Sequence, residues 1–162
     1  MDTRRGEALA PEDVQAYPRP PLVEPVAARV EARLFGAVIL DTDATWRVCE
    51  THHPPTYYVP PGALSCTLLP ARGRSFCEWK GEATYWSLKV GDQIAPRAAW
   101  SYPRPTERFA AIRDFVAIYP GVLDGATVAG MPVTAQPGDF YGGWVTANLT
   151  GLVKGAPGTL HW

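Results

Sequence analysis

The sequence predicts a mainly β protein built from curved antiparallel sheets, with one amphipathic helix at about residues 106–119. Proline and glycine number 17 and 15 among the 162 residues. Together they make up about a fifth of the chain against roughly 12% in an average domain, which disfavours a helical bundle. The apolar residues fall in short runs with a period of two, separated by turn residues, as is typical of strands. A chain of this length suits one domain with extensions.

The first 28 residues are predicted to form a proline-rich arm. Prolines stand at positions 11, 18, 20, 21 and 25, and each fixes φ and removes a backbone donor. We therefore expect an extended arm that either wraps around the domain or stays disordered.

Short β-type runs from residue 29 onward predict a meander. The runs cover residues 30–35, 38–40 and 45–50, with turns at Gly36 and at residues 41–43. The next segment, residues 51–62, has prolines on both sides of Tyr57 and Tyr58. It is predicted to be a shaped loop or an edge, because each proline removes a ladder donor.

Residues 64–69 and two longer segments on either side of Lys80-Gly81 are predicted as further strands, and Gly91-Asp92 as a hairpin turn. Alternation within residues 83–90 divides the side chains between two faces. The face expected to join the core carries Thr84, Trp86, Leu88 and Val90. The opposite face carries Ala83, Tyr85, Ser87 and Lys89.

One segment has the spacing of an amphipathic helix. Thr106 can cap it after Pro105, and Pro120-Gly121 ends it. Its apolar stripe consists of Phe109, Ile112, Val116 and Tyr119, with Phe115 beside it.

The last 38 residues, 125–162, form a glycine-rich extension with Asp139 and Lys154 as its charged side chains. A disordered tail is normally polar or charged, whereas this one carries Trp144 and several aliphatic residues. We expect it to be ordered and to pack on its own domain or on a partner. A homodimer is the assembly that such an apolar segment favours.

Charge and motif content exclude several classes of protein. Fifteen basic and 16 acidic residues give a net charge of −1, so no nucleic-acid partner is expected. No run of 18 apolar residues occurs, which argues against a membrane span. Three cysteines without a secretory signal indicate a cytoplasmic protein with reduced thiols. Phosphate-loop, dinucleotide-binding, serine-hydrolase and zinc-protease motifs are missing, so whether the protein is an enzyme stays open.

Four sequence blocks occur in an order and spacing that identify a family. They are residues 50–60 (ETHHPPTYYVP), 77–86 (CEWKGEATYW), 99–102 (AWSY) and 115–124 (FVAIYPGVLD). Over about residues 29–124 the chain resembles the bacterial family catalogued as domain of unknown function 427. The resemblance implies the β-tent fold, in which curved antiparallel sheets meet at an apex, as in methionine sulfoxide reductase B and the thalidomide-binding domain of cereblon.

Many β-tent proteins hold zinc on two C-x-x-C motifs, and this chain departs from that pattern. Its cysteines are Cys49, Cys66 and Cys77. Cys49 and His52 form a C-x-x-H pair, an alternative half-site for zinc together with one further cysteine. Because free cysteine often fills a small apolar space in a strand, we predict no metal and no cofactor.

Cys77 and Lys80 are candidate catalytic residues of a redox enzyme. A lysine near a thiol stabilises the thiolate and so favours reactivity. In a regular strand the two side chains would point to opposite faces, unless Lys80-Gly81 forms a bulge.

Aromatic side chains concentrated in the blocks predict a ligand pocket. Pockets for small molecules are mostly apolar and aromatic, with a few convergent polar groups. The predicted ligand-binding residues are Glu50, His52, His53, Tyr57, Trp79, Lys80, Tyr85 and Trp86. Lysine and protonated histidine pair with anions, so an acidic or phosphorylated ligand fits this set.

Three functions are consistent with these patterns. The first is a domain that binds a small molecule, with an anion as the favoured class, in an aromatic pocket. The alternative is a non-catalytic interaction or structural module whose apolar arms cover a partner. The third is a cysteine-dependent redox enzyme, against which the lack of a clear resolving cysteine counts.

Overall fold

The computed structural model describes residues 9–77, 79–137 and 142–155 and shows a mainly β protein. This confirms the predicted fold class. The strands are β1 (Glu12–Asp13), β2 (Leu22–Val26), β3 (Val30–Leu34), β4 (Ala37–Thr42), β5 (Thr45–Cys49), β6 (Thr56–Tyr58), β7 (Thr67–Cys77), β8 (Gly81–Val90), β9 (Gln93–Ser101), β10 (Val116–Ile118), β11 (Gly125–Val128), β12 (Met131–Pro132), β13 (Thr134–Ala135), β14 (Trp144–Val145) and β15 (Leu149–Thr150). No helix of the described ranges is long and apolar enough to cross a bilayer.

The strands form small, mostly antiparallel sheets. One four-stranded sheet has the order β10-β9-β8-β7 and another has the order β12-β11-β3-β4. A three-stranded sheet has the order β2-β5-β6, and two-stranded pairs join β13 to β14 and β1 to β15. The β1-β15 pair is parallel. Strand β2 lies within the predicted N-terminal arm, and it pairs with β5 along its whole length.

The buried residues divide into two hydrophobic clusters. The first cluster contains Leu34, Ile39, Leu88 and Trp144. The second cluster is richer in rings and contains the buried residues Val48, Tyr58, Ala83, Tyr85, Trp100, Tyr102, Phe109, Ile112 and Ala117. Strand β8 therefore contributes residues to both clusters, and each of its two faces packs in a different cluster.

The predicted core face of β8 does join the core, and the opposite face is buried as well. Trp86, Leu88 and Val90 pack with the first cluster as expected. Ala83 and Tyr85, from the opposite face, are only 1% and 7% exposed. Alternation identifies the two faces of a strand but not whether the second face meets solvent or another layer, and here both faces are covered.

Irregular pairing at the centre of this sheet holds Tyr85 in place. Strand β7 has a register shift between Ala71 and Arg74 where it pairs with β8. Strand β9 has a second register shift where it pairs with residues 86–88 of β8. Arg97 lies at this shift and has a φ of +49°. The Arg97 guanidinium lies 3.8 Å from the centre of the Tyr85 ring. The Tyr85 hydroxyl is hydrogen-bonded to Ser75 Oγ at 2.6 Å. Bulges of this kind bend a sheet and redirect side chains.

The helix predicted over residues 106–119 is confirmed only as 3₁₀ turns at Glu107–Ile112. The second half of that segment is strand β10, which pairs with β9. Phe109 and Ile112 are buried as predicted, and so is Val116. Asp114 separates the two parts with a φ of +61°. The same spacing of apolar residues can be buried by one continuous helix or by a helical turn followed by a strand. The spacing alone therefore does not distinguish the two structures.

The C-terminal segment, defined here as residues 133–137 and 142–155, packs on the rest of the chain. Trp144 is 2% exposed in the first cluster. Its indole Nε1 donates to the Ile118 carbonyl at 3.0 Å, and its ring centre lies 5.4 Å from that of Tyr57. Residues 138–141 and 156–162 of the predicted extension lie outside the described residues. The homodimer stays a prediction.

Candidate functional site

A cavity of about 590 Å³ opens beside the second hydrophobic cluster. Three parts of the fold surround it: the β5-β6 hairpin, the β10-β9-β8-β7 sheet with its β7-β8 turn, and the C-terminal segment. Six aromatic residues of the described ranges line it, namely Tyr58, Phe76, Tyr85, Trp100, Tyr102 and Tyr119. Its volume lies in the usual range for sites that bind small molecules, roughly 300–1,000 Å³.

The aromatic wall is a packed set of rings. Tyr58 meets Trp100 edge to face, with ring centres 6.5 Å apart, and its centre lies 6.4 Å from that of Tyr102. Trp100 packs on Tyr119 at 4.5 Å. Burial raises the pKa of Tyr58 and of Tyr102, so both hydroxyls stay protonated at neutral pH. The wall thus combines flat apolar surfaces with neutral hydroxyl groups. Phe76, 78% exposed, is the most solvent-accessible of the six lining rings.

Lys80 reaches the cavity from the β7-β8 turn. Gly81 begins β8 with a φ of +104°, and a Cβ there would lie 3.2 Å from the Arg104 carbonyl oxygen. Two hydrogen bonds from Thr106 hold the turn, one to the Lys80 carbonyl at 3.2 Å and one to the Trp79 carbonyl at 2.6 Å. The predicted break at Lys80-Gly81 is therefore what aims this lysine away from regular strand geometry.

The Lys80 ammonium lies among aromatic rings and one carboxylate. The residue is 9% exposed. Its Nζ lies 5.8 Å from the Tyr102 ring centre and 5.9 Å from that of Phe109. Glu50 Oε1 is 3.9 Å from Nζ, which is too far for a hydrogen bond. Lysine has three N–H donors, so this ammonium has donor capacity to offer a ligand.

His53 lies next to the same carboxylate. Its Nε2 is 3.9 Å from Glu50 Oε2. On its other side, Nδ1 is 3.0 Å from Gln136 Nε2. Burial lowers the pKa of His53, although Glu50 opposes the shift, so the imidazole is neutral at pH 7. The polar side of the cavity is thus made of Lys80, Glu50, His53 and Gln136, with Lys154 from the C-terminal segment.

The structure places some of the predicted site residues together and others elsewhere. Glu50, His53, Lys80 and Tyr85 line the cavity, and so does Cys77. The remaining four, His52, Tyr57, Trp79 and Trp86, are not among its lining residues.

The four residues outside the cavity have other surroundings. Tyr57 and Trp86 belong to the first hydrophobic cluster, and Trp86 Nε1 donates to Ser101 Oγ at 2.9 Å. Trp79 packs against the second cluster. His52 has a φ of +69° in the turn before the prolines. Since neighbours in a strand point to opposite faces, Tyr58 lies in the second cluster beside the cavity and Tyr57 lies in the first cluster.

Several lining residues were absent from the predicted set. Tyr58, Trp100 and Tyr102 belong to the same sequence blocks as the predicted residues, so the aromatic content of the blocks was the signal that could have found them. Gln136, Gly142 and Lys154 come from the C-terminal segment. No motif marks these three, and only the chain's return to the domain brings them to the cavity.

The three cysteines are free and lie in different surroundings. Cys49 is buried, and desolvation raises its pKa to about 12. Burial also raises the pKa of Cys66, whereas Cys77 lines the cavity. Among the described residues, no group of three or more His, Cys, Asp or Glu is placed to hold a metal ion. The alternative zinc site on Cys49 and His52 therefore gains no support from a third ligand.

Comparison with models of known protein families shows which family the chain belongs to. A family model described as a domain of unknown function (DUF427) matches residues 22–129. This span includes all four sequence blocks and begins at β2. No curated protein matches the chain.

Proposed function

This chain belongs to the family described as domain of unknown function 427, and from the geometry of its cavity we propose that it binds a small anionic molecule with an aromatic or apolar part. The family description assigns no activity, so the proposal depends on the residues of the cavity. The observation that carries it is the position of Lys80: its nearly buried ammonium lines an aromatic cavity and has N–H donors available for a ligand.

Placing the Lys80 ammonium in a nearly buried position has an energetic cost. An ammonium group out of water is costly unless it is paired and hydrogen-bonded. Lys80 has ring faces and a carboxylate at 3.9 Å around it, and within the described ranges no acceptor lies in hydrogen-bond range of Nζ. A ligand carboxylate or phosphate would supply that acceptor. Charge-assisted hydrogen bonds are about twice as strong as neutral ones.

The composition of the cavity favours a ligand with two unlike ends. Lys80 and Lys154 carry positive charge, and Glu50 is the acidic lining residue among those described, so the described polar residues together have a net positive charge when His53 is neutral. The rings of Trp100 and Tyr119, which also line the cavity, offer flat contact surface. An aromatic carboxylate or an aromatic phosphate monoester matches both ends.

Replacing Lys80 with methionine is expected to weaken the binding of phenyl phosphate by about tenfold or more. Methionine preserves most of the contact with Tyr102 and Phe109 but removes the charge, and a hydrogen bond to a charged group contributes about 1.5–3 kcal/mol. Binding is measured by NMR titration, following the indole N–H signal of Trp100. Benzyl alcohol serves as the uncharged probe, and its weaker binding should be the same in both proteins.

Lys89→Met is the matched control, because Lys89 lies in β8, the strand that directly follows Lys80, but does not line the cavity. It should bind phenyl phosphate like the unaltered protein. Equal affinity in all three proteins, or no shift of the Trp100 signal at any concentration, would show that the cavity does not bind this class of ligand.

A further inference from the structure

Gln136 ties the C-terminal segment to His53. The residue is 3% exposed, and its side-chain amide makes three contacts. Oε1 accepts from the Gly143 N–H at 3.2 Å. Nε2 donates to the Lys154 carbonyl at 2.9 Å and meets His53 Nδ1 at 3.0 Å.

Two backbone groups fix the orientation of this amide. The Gly143 N–H can only donate and the Lys154 carbonyl can only accept, so the amide oxygen must face the first and the NH₂ group the second. The NH₂ group then donates its second hydrogen to His53. Nδ1 must therefore be an acceptor, which makes His53 the neutral tautomer with its proton on Nε2, the nitrogen that faces Glu50.

Protonation of His53 is incompatible with this arrangement. A proton on Nδ1 would point at the NH₂ group of Gln136, and both would be donors. Rotating the amide by 180° would restore a hydrogen bond with His53. It would, however, place the NH₂ group against the Gly143 N–H and the amide oxygen against the Lys154 carbonyl. One unfavourable contact would be exchanged for two, each leaving a buried polar group unsatisfied.

The charges around His53 act in both directions. Glu50 favours the protonated ring, while Lys154 and Lys80 oppose it. Burial opposes it most, so the pKa of His53 lies below its ordinary value of about 6.5. A lowered pKa in the folded state means that the unfolded chain takes up the proton first. The folded arrangement is consequently favoured above about pH 6.5 and loses stability as the pH falls from there towards the lower folded pKa.

We propose that His53 is a proton-controlled latch: in its neutral form it holds Gln136 and keeps the C-terminal segment closed over the cavity, and protonation releases that segment. As regulation of the anion site, the latch rests on the proposed function, because Gly142 and Lys154, which the segment contributes, line the cavity. Release removes one cation and one wall. Anion binding therefore weakens on acidification, although the histidine itself gains positive charge.

Hydrogen exchange tests the latch without a ligand. The reporters are the amides of Gly143, bonded to Gln136 Oε1, and of Lys154, bonded to the His52 carbonyl at 2.7 Å. After correction for intrinsic exchange rates, their protection should fall at least tenfold between about pH 7.5 and about pH 5, across the range in which histidine titrates.

His53→Asn should abolish this pH dependence. The Asn Oδ1 sits close to the position of imidazole Nδ1 and can accept from Gln136, but it does not titrate. His52→Asn is the matched control on the adjacent residue, since asparagine tolerates the positive φ of that position, and it should keep the full pH dependence. NMR of the imidazole nitrogens in the unaltered protein should show the Nε2–H tautomer at pH 7.5.

Several results would overturn the latch: the Nδ1–H tautomer, unchanged protection between the two pH values, or the same loss of protection in His53→Asn as in the unaltered protein. Binding of phenyl phosphate at both pH values is measured in parallel. If protection falls as expected but phenyl phosphate binds at neither pH, the latch stands and the proposed function fails. If phenyl phosphate binds equally at both pH values with protection unchanged, the proposed function stands and the latch fails.

Discussion

Replacing Trp144 with alanine is expected to lower the free energy of unfolding by about 3–5 kcal/mol, the usual cost of removing a fully buried large aromatic side chain. Trp144 is 2% exposed, and the substitution would leave a cavity beside Tyr57 and remove the hydrogen bond to the Ile118 carbonyl. Urea unfolding followed by circular dichroism measures the change.

Leu152→Ala is the control for this experiment, because Leu152 lies in the same C-terminal segment but is 57% exposed. It should change the free energy of unfolding by less than about 0.5 kcal/mol. If Trp144→Ala behaved like Leu152→Ala, the segment would not pack on the domain in solution, and the cavity would lose one of its walls.

Replacing Gly142 with alanine is expected to cost about 1–3 kcal/mol and to weaken ligand binding at the same time. A Cβ at this position would collide with the Trp100 indole, approaching its Cζ3 atom to 2.8 Å. Overpacking of this kind displaces side chains or backbone. Here the displaced group is either the aromatic wall of the cavity or the C-terminal segment. Urea unfolding and phenyl phosphate titration measure the two effects.

Gly125→Ala is the matched control, because a Cβ there meets no atom within 4 Å. It should leave both stability and binding close to those of the unaltered protein. A Gly142→Ala protein with unchanged stability and binding would contradict the close approach of the C-terminal segment to Trp100.

Much of the fold follows from local sequence patterns. The hairpin at Gly91-Asp92 is confirmed by the pairing of Val90 with Gln93. The break at Lys80-Gly81 is confirmed by a glycine with a φ of +104° at the start of β8. Such signals are reliable because a turn depends on the conformations open to a few adjacent residues.

Features that depend on distant parts of the chain could not be predicted in this way. The covering of both faces of β8 depends on the second cluster, to which residues from far along the sequence contribute. The apolar spacing after Thr106 suits a helix, but pairing with β9 makes residues 116–118 a strand. Tertiary contacts decide such cases against local preference.

The candidate site likewise contains residues that local sequence patterns predict and residues that only contacts between distant parts of the chain bring in. Glu50, His53, Lys80 and Tyr85 belong to blocks whose composition marks them, and all four line the cavity. Tyr57 is the residue predicted for the site, whereas its neighbour Tyr58 lines the cavity, because a shift of one residue in a short strand exchanges the two faces. Gln136 could not be predicted, because its role comes from contacts with His53 and Lys154, residues 83 and 18 positions away.

A crystal structure of the protein grown with phenyl phosphate tests the central claim most directly. The proposal that Lys80 is the anion-binding group of an aromatic cavity predicts a phosphate oxygen within about 3.2 Å of Lys80 Nζ, with the phenyl ring against Trp100 or Tyr119. A ligand bound elsewhere, or a cavity left without phenyl phosphate at saturating concentration, would contradict it.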